Sequence, residues 1–96
     1  MALSDTYNLD TIRNKTAELV YEKVEELLAG TVDLCRCEIC VLDLVAFTLN
    51  RVSPRYVTSM LGNLRPNVAA EKRLMVEIEL ALRAGLRQLK AHPHHT

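Results

Sequence analysis

Cys35-Arg36-Cys37-Glu38-Ile39-Cys40-Val41-Leu42-Asp43-Leu44-Val45-Ala46-Phe47-Thr48-Leu49-Asn50 is the stretch whose reading decides the fold. From Ile39 to Leu49 it is apolar almost without interruption, and periodicity alone does not separate a buried helix from a buried strand. The run is about twelve residues long, too long for most strands, and it closes on Asn50. It also follows a strongly helical segment, so we expect a helix over roughly 38–50. Being apolar nearly all round, this helix should sit at the centre of the assembly.

Upstream, Leu9, Ile12, Thr16, Leu19, Val20, Val24, Leu27 and Leu28 keep helical spacing, with Glu18, Glu22, Glu25 and Glu26 largely on other faces. The expected helix runs from about 9 to 29, capped by Asn8 or Asp10, with Gly30 as the left-handed residue past its end. Downstream, Ser53-Pro54 stops the central helix, because the residue before a proline is pushed out of the helical region. Arg55-Tyr56-Val57-Thr58 reads as extended or irregular, and Gly62-Asn63 and Arg65-Pro66-Asn67 read as turns. Past Asn67, a plausible cap, Val68, Leu74, Met75, Ile78, Ala81, Leu82, Gly85, Leu86 and Leu89 carry a last helix to about Lys90.

The expected fold is therefore all-α: one compact domain of three main helices with a cysteine-containing turn, assembled as a homodimer. Residues 1–8 are expected to be an N-terminal tail, 9–91 the helical domain and 92–96 a disordered C-terminal tail. The dimer follows from size, since 96 residues build only a modest core and the middle helix is too apolar for two neighbours to cover.

Composition narrows the function classes. Hydrophobic residues make up 49% of the chain and aromatics only 4%, which favours aliphatic helix-on-helix packing. Twelve Lys and Arg balance twelve Asp and Glu, so no global field draws the molecule to nucleic acid. No helix carries a basic stripe, and direct DNA binding is not expected. No apolar run of about 18 residues and no secretion-type leader appear, so a cytoplasmic protein without membrane association is expected. An enzyme is not expected either. The histidines stand only at 92, 94 and 95, and neither a Gly-rich phosphate loop nor paired carboxylates in a plausible cleft are visible.

Two groups of residues carry chemistry. Cys35, Cys37 and Cys40 form a C-x-C-x2-C cluster at a turn entering a helix, where thiolates converge and the helix N-terminus stabilises negative sulfur. They are three of the four donors of a tetrahedral zinc site, with Asp43 the candidate fourth and the tail histidines or a water as others. The other reading is ordinary reduced thiols near the core. Second, Leu44–Ala70 contains no acid but holds Arg51, Arg55 and Arg65 beside Asn50 and Tyr56. Arg forks pair with phosphate or with the O6/N7 edge of guanine, and an aromatic ring can stack on a base. A small anionic nucleotide is one reading, and pairing with Glu18, Glu22, Glu77 or Asp43 across the fold is the other. Lys15 joins the ligand candidates on charge alone, as does Arg65.

The cysteine cluster, followed by Leu42-Asp43-Leu44-Val45-Ala46-Phe47-Thr48-Leu49-Asn50-Arg51 and Ser53-Pro54-Arg55-Tyr56-Val57, resembles the signature of the late competence protein family ComFB. Asn14-Lys15-Thr16-Ala17-Glu18-Leu19-Val20 is similar to that family's first-helix pattern. Ser53 stands where the family has the first proline of a Pro-Pro-Arg-Tyr-Val segment, and Ala17 stands where an acid is common. The resemblance implies a non-catalytic helical homodimer. It further implies binding of cyclic di-GMP, in some members cyclic di-AMP, coupled to a downstream protein partner such as a transcription regulator. Arg51 and Arg55 match signature positions. A metal-stabilised structural adaptor without a nucleotide ligand is the alternative.

Overall fold

Asn14, and not Asn8 or Asp10, starts the first long helix. A computed structural model of the chain describes residues 1–31, 33–58 and 68–91. In it α1 spans Lys15–Gly30, and Asn14 keeps an extended backbone while its Oδ1 accepts the Thr16 N–H at 3.1 Å. Asn8 does cap, but only a three-residue 3-10 turn at Leu9–Thr11. The helical spacing of Leu9 and Ile12 extends the pattern backward without burying it, and these side chains stay 39% and 45% exposed.

The start shifts because the backbone at 13–14 is used elsewhere. Strand β1 (Arg13–Asn14) pairs antiparallel with β2 (Tyr56–Val57), Arg13 opposite Val57 and Asn14 opposite Tyr56. The all-α expectation is corrected to this extent: the described residues form three α-helices, short 3-10 turns and a small two-stranded sheet. Gly30 also departs from expectation, being the last residue of α1, and no described residue has a positive φ.

The central helix forms as its sequence suggests. Helix α2 covers Glu38–Leu49 with Asn50 as its C-cap, whose N–H donates to the Ala46 carbonyl. Thr48 is fully buried in it and donates its hydroxyl to the Leu44 carbonyl at 2.8 Å, which removes the penalty for a polar group inside. Helix α3 covers Val68–Ala91. The turns expected at 62–63 and 65–67, the candidate ligand Arg65 and the tail 92–96 lie outside the described residues.

Helix α2 packs against both α1 and α3. The core joins Val20 and Val24 of α1, Leu44 of α2, Val52, and Leu74, Ile78, Ala81 and Leu82 of α3. The expectation that α2 lies at the centre holds for one side only. Leu44 is 1% exposed, whereas Ile39 and Leu42 on the other side are each 57% exposed.

Close approach of α2 to α3 depends on Gly85. A Cβ there would meet Leu44 Cδ1 at 2.8 Å and Phe47 Cδ1 at 3.0 Å, and Leu44 is itself buried in the core. We expect Gly85→Ala to lose about 1 kcal/mol in urea unfolding, overpacking outweighing the better helix former, and Gly85→Val to lose about 3 kcal/mol. Gly30→Ala, with nothing within 4 Å of its new methyl, should be neutral or slightly stabilising. Equal effects at the two glycines would contradict this packing.

Candidate functional site

Three hydrogen bonds clamp the start of α1 onto the segment after α2. Asn14 Oδ1 accepts the Arg55 N–H at 3.1 Å as well as that of Thr16. The Lys15 N–H donates to the Arg55 carbonyl at 2.7 Å, and the Thr16 hydroxyl donates to the Ser53 carbonyl at 2.7 Å. The clamp brings Lys15 and Arg55 together although forty positions separate them. Ser53 is held from the other side, its N–H and its hydroxyl both donating to Glu77 Oε1 of α3 at 2.7 and 3.0 Å.

Lys15 and Arg55 line one hollow of about 280 Å³ between α1 and α3, together with Glu18, Leu19, Glu22, Glu71 and Met75. Glu18 is already engaged. Arg13 donates to both of its oxygens at 2.6 and 2.8 Å, which holds the Glu18 carboxyl below and the Arg13 guanidinium above their ordinary ranges. Arg55 meets Glu71 at 3.9 Å, both side chains partly exposed, a loose pair that stabilises by about 1 kcal/mol at most.

The other candidates are placed apart. Arg51 lies over the Phe47 ring, 3.8 Å from its centroid, and lines a separate shallow hollow with Glu77, Leu80, Ala81 and Ala84. That stacking is worth about 0.5–1 kcal/mol at an exposed position. Asn50 is exposed at the end of α2, and Tyr56 is 68% exposed on the two-stranded sheet. Arg55 and Arg51 thus line two different hollows, and among the described residues neither Glu18 nor Glu77 is their ion-pair partner.

The cysteines do converge. The sulfurs of Cys35, Cys37 and Cys40 all lie within 4.8 Å of one another, while the exposed Asp43 is not part of the group. Tetrahedral zinc with sulfur at about 2.3 Å needs sulfurs roughly 3.8 Å apart, so a small inward movement completes three corners. Cys37 is the N-cap of α2 and its sulfur accepts the Cys40 N–H at 3.4 Å. That contact, stronger than the opposing desolvation, lowers the Cys37 thiol from its ordinary pKa and favours the thiolate that binds metal.

Arg36 holds the turn. Its guanidinium donates to the Leu28 and Thr31 carbonyls and to that of Leu34 at 3.3 Å. It thus satisfies a carbonyl at the open end of α1 and ties the cysteines to it. Sequence reading missed Arg36, Asn14 and Glu77 as positioning residues; only the Asn-x-Thr pattern before an amphipathic run hinted at one of them.

A thiol cluster capping the central helix, and a two-stranded clamp joining the start of α1 to the segment after α2, define a small mostly helical domain whose three clustered cysteines could hold a metal ion. The family model described as "Late competence development protein ComFB" matches residues 13–93, and the chain belongs to that family. No curated protein and no solved structure matches it. No helix among the described residues is long and apolar enough to cross a membrane.

Replacing Asn14 by Ala removes one acceptor from two N–H groups. We expect a loss of about 2 kcal/mol in urea unfolding, largely restored by Asp, which keeps the oxygen. Protein purified without chelator should carry about one zinc per chain by elemental analysis, and chelation should lower the melting temperature by roughly 10 °C. Cys37→Ser should lose the metal. Metal-free protein with an unchanged melting temperature under chelator would count against the site.

Proposed function

We propose that this ComFB-family chain is a non-catalytic cytoplasmic receptor for a cyclic dinucleotide, working as a homodimer through a downstream protein. The observation that carries the reading is the pairing of Lys15 and Arg55 in one hollow with Glu22 and Glu71. A guanine nucleotide presents acceptors at O6/N7 and on its phosphate, which Arg and Lys take, and N–H donors on its other edge, which a carboxylate takes. A hollow lined by both signs fits such a ligand better than a purely basic one. At about 280 Å³ it has room for one base with its phosphate, and the second half of a dinucleotide would rest on another surface. A partner protomer supplies that surface.

The exposed aliphatic side of α2 supports a subunit interface. Ile39 and Leu42 on the outer side of α2 are the aliphatic groups that such an interface would bury.

The second reading, a metal-stabilised adaptor, is favoured by the cysteine geometry and does not require the hollow. Calorimetry with cyclic di-GMP and cyclic di-AMP separates the two. Lys15→Ala and Arg55→Ala should each weaken binding about tenfold, corresponding to about 1.4 kcal/mol, and Arg51→Ala by less. No heat at millimolar nucleotide would leave the adaptor. Light scattering should give twice the chain mass, falling to one chain in Leu42→Arg; a stable wild-type monomer would refute the dimer.

A further inference from the structure

Helix α3 buries one side, with Leu74, Ile78, Ala81, Leu82 and Gly85 all in the core. At about 100° per residue, Lys72, Arg73, Arg83, Arg87 and Lys90 fall within an arc of roughly 100° on the opposite side. Ala69, Val76 and Leu80 share that arc, Glu79 lies at its border, and Glu71 and Glu77 lie outside it. All five cations are exposed, and none takes part in an ion pair among the described residues. Val76 is 58% and Leu80 60% exposed in the middle of the stripe. This corrects the expectation that no helix carries a basic stripe: the acids of the same helix interleave with the cations in sequence and separate from them only in space.

Here a chain with equal numbers of acids and bases has collected five bases and no acid along one arc, around two aliphatic side chains. Ala69, Arg73, Val76, Leu80, Arg83, Arg87 and Lys90 alternate in steps of three and four, the spacing at which one helix receives another. A second helix with acids opposite these cations and apolar side chains opposite Val76 and Leu80 would match both features of the face.

We infer that the outer face of α3 docks an acidic amphipathic helix of a partner protein. Nucleic acid fits less well: phosphates would engage the cations but would leave both aliphatics uncovered, and the molecule has no net charge to attract a polyanion. A second copy fits less well too. The acidic outer face of α1, from Glu18 to Glu26, spans about 12 Å, against about 32 Å for the stripe. The surface supplies the partner half of the receptor reading and uses none of its ligand residues, so the two stand or fall separately.

The test uses the full chain without nucleotide, with three fluorescent probes. These are a helical peptide as long as α3 with Glu and Leu in the complementary seam, the same peptide with Lys for Glu, and a short DNA duplex. By anisotropy the acidic peptide should bind, the Arg83→Glu, Arg87→Glu variant should bind it at least thirtyfold or so more weakly and should take the Lys peptide instead. Leu80→Ser should weaken binding about fivefold, which diffuse charge attraction would not show. All these positions are exposed, and circular dichroism and light scattering should match the wild type. The inference is overturned by no binding of the acidic peptide, by full affinity in either variant, or by tighter binding of the duplex. A change of oligomeric mass on charge reversal would assign the face to a second copy and overturn it equally.

Discussion

The edge of this small domain where α1 begins passes through one side-chain oxygen. Asn14 Oδ1 accepts the N–H that opens α1 and the N–H of Arg55, so helix initiation and the return of the chain after α2 are a single event. Buried backbone groups must be paired, and the two-residue sheet has too few internal bonds to persist alone. The side-chain bridge, the buried Thr16 hydroxyl on Ser53 and the flanking core make it persist. Contacts between positions so far apart carry a high loop-closure cost, which the hydrophobic packing of α1 on α2 offsets.

The parts that were legible in the sequence are those decided locally. Helix α2 ends within one residue of the expectation, because its length and terminal Asn50 are local properties. Helix α3 starts at Val68 as read and ends at Ala91, one residue past the expected end. The cysteine cluster was legible for the same reason: C-x-C-x2-C at a helix start leaves the sulfurs little choice but to meet. The α1 boundary was not legible. Leu9 and Ile12 continue the helical period, and only the distant strand partner at Tyr56–Val57 shows why the backbone at 13–14 must be extended. The scattering of Arg51 and Arg55 was hidden likewise, since four positions in sequence become two hollows once Val52 turns into the core.

The family signature takes on physical meaning in this light. Asn14-Lys15-Thr16 and Ser53-Pro54-Arg55, which stand far apart in the chain, are the two halves of one hydrogen-bonded clamp. The cysteines and Arg36 hold the opposite end of α1. Both ends of α1 are thus fastened by motif residues, with the apolar helix between them free to expose Ile39 and Leu42. Charge is sorted in the same way, acidic on the outside of α1 and basic on the outside of α3, although the whole chain is neutral.

Ser53 shows how a departure from a family pattern can carry its own counterpart. Its N–H and hydroxyl share one oxygen of Glu77, and a proline at that position has neither donor. The acid at 77 therefore has a task in this chain that it cannot have in a relative with two prolines. A proline placed at 53 in this chain would remove both donors at once and leave the Glu77 carboxylate to water, so the loop residue and the helix acid act as one unit.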